Sequence, residues 1–176
     1  MFMPCILVVI GLIYLIYEVI ADKMHTDNGN RKAVNRIFMS VFAMFLILFW
    51  YLIIACVNGG NIMSISSFIC IAVVFFGAMI AVISDVFPKL KQNDNIGFRT
   101  SSTLSDKKVW KKTHKVGGYC GVIGGIITAV IGLAGLIFNI NSAIVFISSI
   151  AVILISIGLI PCVYSKTICE NPNNLE

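Results

Sequence analysis

The stretch Asn93–Gly118 reads NDNIGFRTSSTLSDKKVWKKTHKVGG. It is the longest polar stretch in a chain of 176 residues that is 59% hydrophobic and only 12% charged. Whether it enters lipid decides the fold. The segment Pro88–Lys115 holds Lys89, Lys91, Arg99, Lys107, Lys108, Lys111, Lys112 and Lys115, eight cations in all. At about 2.5 kcal/mol each near the bilayer centre they would cost about 20 kcal/mol, which no apolar side chain here offsets. The stretch is therefore a connector outside the membrane, with apolar runs on both sides.

Working outward, five runs approach or exceed the ~20 residues an α-helix needs to cross a ~30 Å hydrocarbon core. They are about 2–21, 37–57, 64–87, 117–138 and 142–164. None alternates with period two, and helices satisfy their own backbone polar groups in lipid. The expectation is an all-α integral membrane protein with five transmembrane helices. It divides into an N-terminal two-helix hairpin (1–63), a three-helix module (64–165) with connector 88–116, and a short polar tail (166–176). The first run has no Lys or Arg before it and exceeds a ~7–15-residue signal core, so it is expected to stay as a span.

Basic residues in short loops set orientation. Lys23, Arg31, Lys32 and Arg36 lie in the first connector, eight cations lie in the central one, and Lys166 follows the last span; these are all 13 Lys and Arg of the chain. All fall on one side of a five-span arrangement. That places the N-terminus outside and the C-terminus in the cytoplasm of a plasma membrane. The net charge of +5 then reads as topology and attraction to anionic inner-leaflet lipid, not as a nucleic-acid surface. The six cysteines show no C-x-x-C spacing and read as small packing residues. No metal or cofactor site is expected.

Within the connector, Thr103-Leu104-Ser105-Asp106 has the Thr-x-x-acid form of a helix start. A helix over about 104–116 places Lys107, Lys108, Lys111, Lys112 and Lys115 in one arc of ~140°, with Val109, Trp110, Thr113 and Val116 opposite. The prediction is an interfacial amphipathic helix anchored by Trp110, either separate or running straight into the fourth span, its apolar face towards bilayer or bundle, with His114 at the border of its two faces. Further along, Gly117, Gly121, Gly125 and Ala129 recur every four residues. Such a stripe lets helix backbones approach closely in lipid, and the simpler expectation is a partner within the same chain. Pro88 should stop the third span. Glu18 and Asp85, at the inner ends of their spans, either sit exposed at headgroup depth or are ion-pair partners for Arg99, whose planar fork suits carboxylate or phosphate.

Taken together, Asn93, Gly97, Arg99, Thr100, Thr103, Leu104, Trp110, His114 and Gly118 resemble, in order and spacing, the signature of the SdpI family of bacterial membrane proteins. The resemblance extends over about 64–164. Ser101-Ser102 and Lys107-Lys108 depart from the family's usual Pro-Trp and acidic residues. The resemblance implies a plasma-membrane immunity protein that resists a secreted toxic peptide, with possible signalling by holding a cytosolic repressor at the membrane. A membrane tether for a regulator without immunity is the alternative. A transporter is less favoured, because no charge lies at mid-span and no pair of helices is interrupted. For an enzyme, His114 is the plausible base and Ser102 or Ser105 an imaginable nucleophile, but no third positioned group accompanies them. No catalytic residue is therefore assigned. Arg99, Trp110 and His114 are the leading functional positions.

Overall fold

The computed structural model describes residues 2–23, 28–57, 64–93 and 96–170. His25, the connector 58–63 and the tail 171–176 lie outside the described residues. Its helices are α1 (Phe2–Lys23), α2 (Asn28–Val57), α3 (Ile65–Ser84), the short α4 (Ser101–Ser105), α5 (Lys107–Ile137), α6 (Ser142–Ile153) and α7 (Ile160–Glu170). There is no strand among the described residues. Among the described residues, four stretches can cross a membrane by length and composition: Asn30–Ile54, Ile65–Lys89, Lys107–Ile137 and Ser142–Glu170.

Local chemistry explains the boundaries. Ser64 caps α3 by accepting from the Ser67 N–H at 3.2 Å. The helix ends at Ser84, four residues before Pro88, whose ring nitrogen has no hydrogen for the Ser84 carbonyl. The chain then makes one tight turn, Phe87–Lys89. Asn141 caps α6 through the Ala143 N–H. Helices α6 and α7 form one rod, joined through a π-helical stretch, Leu154–Leu159, just before the buried Pro161. A proline frees the carbonyl four residues back, here Ile157, and a local π-adjustment is one way a membrane helix absorbs it.

Helices α3 and α5 make the closest pairing. A Cβ on Gly125 would lie 2.6 Å from the Gly77 carbonyl oxygen, and a Cβ on Gly77 would lie 2.6 Å from the Gly125 carbonyl oxygen. Two turns further along, a Cβ on Gly132 would lie 2.8 Å from the Cys70 carbonyl oxygen. Gly121 sits against the Ser84 side chain. The other flank of α5 meets the final rod: Gly124 abuts Ser156 within the π-helical stretch, and Gly135 abuts Val145. The small-residue stripe thus packs inside the chain. Gly117 is its exception, because its partner is the Phe98 ring of the connector.

The amphipathic segment corrects an expectation. It is not a separate helix in the interface plane. Helix α5 starts at Lys107, three residues later than expected, and runs unbroken to Ile137. Asp106, in extended conformation, caps it by accepting from the Lys108 N–H at 2.6 Å. Thr103 does not cap α5; it belongs to α4. Val109, Trp110, Thr113 and His114 are all buried, so of the two expected surroundings, bilayer or bundle, the apolar face turns to the bundle.

The hairpin attaches differently. Tyr14 and Tyr17 pack on Phe38 with ring centroids 5.4 and 6.0 Å apart. Tyr51 of α2 stacks on Phe68 of α3 at 5.5 Å. At the opposite end, Asn30 and Ala33 of α2 reach the connector.

Candidate functional site

The site forms where four chain segments converge: the start of α2, the turn after α3, the connector, and the junction of α5 with α7. Its centre is aromatic. The Trp110 and His114 rings stack at 4.0 Å with an 18° interplanar angle. This follows from i,i+4 spacing on one helix face. Phe98 leans on His114 at 5.2 Å, and Phe87 meets Phe98 edge-on at 4.8 Å. Trp110 is 2% exposed and His114 0%, so each polar ring atom needs a partner.

Each has one, and all are backbone groups. The Trp110 Nε1–H donates to the Leu90 carbonyl at 3.0 Å. The Phe98 N–H donates to His114 Nε2 at 2.9 Å. Nε2 must therefore carry the lone pair and Nδ1 the proton, which places the Nδ1–H on the Trp110 carbonyl at 2.9 Å. The imidazole is a neutral strut between a loop and a helix. With both nitrogens committed, it is not arranged as a general base.

Gly97 follows from that strut. Its φ is +122°, and a Cβ there would strike His114 Nε2. Only glycine combines this backbone region with that approach. Asn93 shapes the preceding loop: its Oδ1 accepts from the Ile96 N–H at 2.8 Å, and its Nδ2 donates to the Ile96 carbonyl at 3.2 Å. Thr100 and Thr103 form a reciprocal capping box around α4. The buried Thr103 hydroxyl also donates to the Phe98 carbonyl at 2.7 Å. The Thr100 hydroxyl reaches Ser165 of α7 at 3.1 Å, tying connector to final rod.

Sequence reasoning overlooked two amides that hold this assembly. The Asn30 side chain pairs with the Lys91 backbone in both directions: Oδ1 accepts from the N–H at 2.8 Å, and Nδ2 donates to the carbonyl at 3.1 Å. Gln92 Nε2 donates to the carbonyls of Thr103 at 3.0 Å and Leu104 at 2.7 Å, closing α4 from its C-terminal side. Neither residue has a sequence signal, since an Asn or Gln in a polar loop is ordinary. Phe98, read only as part of a Gly-x-Arg turn, is a third omission.

Of the two readings for the acids, the pairing with Arg99 is not formed. Glu18 pairs with Arg31 across the α1–α2 hairpin. Asp85 pairs with Lys89 at 2.7 Å and Arg36 at 3.4 Å. Partners one helical turn away, or on the adjacent helix end, leave no reason for either acid to reach across the connector. Arg99 is exposed and pairs with neither acid. Among Asn93, Gly97, Arg99, Thr100, Thr103, Trp110 and His114 it is the residue that points outward. Lys107, Lys108, Lys111 and Lys115 are exposed as well.

Among the described residues no three His, Cys, Asp or Glu come together as a metal site. The arrangement holds a loop in one shape and displays cations from it.

Residues 89–165 match the SdpI/YfhL protein family. This matched segment is less than half of the chain and contains the connector, α4, α5 and most of the final rod. Comparison with curated proteins and with solved structures gave no match.

Proposed function

We propose, from the premise that residues 89–165 belong to the SdpI/YfhL protein family, that this is a bacterial plasma-membrane protein conferring resistance to a secreted toxic peptide. In this reading α1 is a fifth span, the N-terminus is outside, and the connector is cytoplasmic. The contacts Asn30–Lys91, Arg36–Asp85 and Thr100–Ser165 gather the cation-bearing segments at one end of the bundle, which supports an inner-face assignment.

The observation that carries the proposal is the division of labour in the connector. Its signature residues lock one another through backbone hydrogen bonds, while Arg99 and the α5 lysines face outward. A loop held this firmly suits recognition of a partner, because little conformational entropy is lost on docking. The same surface favours a second activity, holding a cytosolic repressor at the membrane; this is also how a tether without immunity would act.

The test is expression in a cell sensitive to secreted antimicrobial peptides, challenged with a panel of them. Survival should rise in the wild type and fall in Arg99→Ala at equal membrane abundance. Unchanged killing across the panel sinks the immunity reading. A native-host pull-down that recovers lipid but no protein sinks the tether.

A further inference from the structure

One cavity is left unexplained by the lock. It lies at the end of the bundle where α2, the turn after α3 and the first turns of α5 meet, and its volume is 470 Å³. Leu90 and Trp110 form apolar wall, while Asn30, Lys91, Lys107 and Lys111 supply polar wall. The α5 register explains why these two lysines belong to it. At ~100° per residue, Lys107 and Lys111 fall nearest Trp110, whereas Lys108, Lys112 and Lys115 rotate towards the opposite side.

The walls are fixed before any ligand arrives. Asn30 holds the Lys91 backbone from α2. Trp110 holds Leu90 from α5. Gln92 holds the end of α4. Lys89 also borders the cavity, but its ammonium is engaged by Asp85 at 2.7 Å; Lys107 and Lys111 on the α5 side, with Lys91 opposite, bring the remaining positive charge. An apolar wall, ammonium groups and indole at the inner end of the spans match the chemistry of a phosphate group joined to a less polar body.

We propose that this cavity is a binding site for a phosphate-bearing anion, filled in the cell by the headgroup of an anionic inner-leaflet phospholipid. The proposal rests on the membrane placement proposed above, but not on immunity. Occupancy would bridge α2 to α5 across the turn after α3 and couple the hairpin to the family module.

The test uses the full chain carrying Trp50→Phe, which leaves Trp110 as its single tryptophan. The protein is placed in phosphatidylcholine nanodiscs with increasing phosphatidylglycerol, and Trp110 emission is followed. A saturable change is expected. Lys107→Gln with Lys111→Gln should weaken it about tenfold or more, while Lys108→Gln with Lys115→Gln leaves it near wild type. Inorganic pyrophosphate added to pure phosphatidylcholine discs forms the second arm. A saturable response there with the same lysine dependence upholds the anion site and assigns it a soluble phosphate source. Lack of saturation in both arms, or equal weakening by the two lysine pairs, overturns the site. A chain that binds phosphate but protects no cell fails the immunity reading alone.

Discussion

The α3–α5 pair and the α1–α2 hairpin meet the same requirement by different means. Lipid tails are as apolar as leucine, so helices in a bilayer gain little by hiding apolar surface and associate through close packing and polar contacts. Helices α3 and α5 bring backbone against backbone at Gly77 and Gly125. Helices α1 and α2 touch through aromatic edges and the Glu18–Arg31 pair, and Gly11 of α1 has nothing within 4 Å of where a Cβ would stand. Within the most apolar window of each helix, 33% of residues are buried in α5 and 11% in α2. The first pair specifies its geometry tightly. In the second, little of α2 is buried.

The sharpest way to break that contrast is Gly125→Leu against Gly11→Leu. At Gly125 the new side chain must displace the Gly77 backbone, and the loss should exceed about 3 kcal/mol, with little folded protein recovered. At Gly11 the change should stay within about 0.5 kcal/mol. Thermal unfolding in detergent reads both, and equal effects would mean the two pairs do not differ as described. His114→Ala comes next. It strands the Phe98 N–H and leaves a gap under Phe98, for about 2–3 kcal/mol. Limited proteolysis within 96–105 should accelerate, while cleavage near α1 should not.

Trp110→Phe keeps a stacked ring but removes the donor to the Leu90 carbonyl, and should cost about 1–2 kcal/mol by the same unfolding measurement. Asn30→Ala sharpens the comparison from the hairpin side. It should cost about 1 kcal/mol and speed hydrogen exchange at the Lys91 N–H, leaving the α5 interior protected. If α5 exchange rose equally, the hairpin would be part of the module's own fold. The smallest effect is Lys108→Gln, an exposed change expected within about 0.5 kcal/mol.

Much of this was legible because lipid simplifies the rules. Pro88 marked the end of α3 to within a few residues. Lysine spacing in α5 predicted which side would be buried, and Val109, Trp110 and Thr113 are indeed inside. The Gly121–Gly125 stripe foretold close approach. The helix start was misplaced because two capping signals overlap: Thr100 begins α4, and Asp106, one residue before Lys107, begins α5. Local pattern cannot choose between them, since the break depends on Thr103 being drawn to the Phe98 carbonyl. The choice between exposed acids and a pair with Arg99 stayed open for a related reason. Charge counting shows that acids and cations share one end of a bundle, but not which reach each other.

The sequence by itself determined the helical class, the apolar runs and the face of α5 that turns inward. Those follow from transfer cost and helical period, which depend only on nearby residues. The tertiary structure alone decided that His114 is a strut between Phe98 and Trp110, that Asn30 fastens the hairpin to Lys91, and that Lys107 and Lys111 border a cavity. Each depends on where backbone N–H and carbonyl groups from distant segments come to lie, and a one-dimensional pattern carries no record of that.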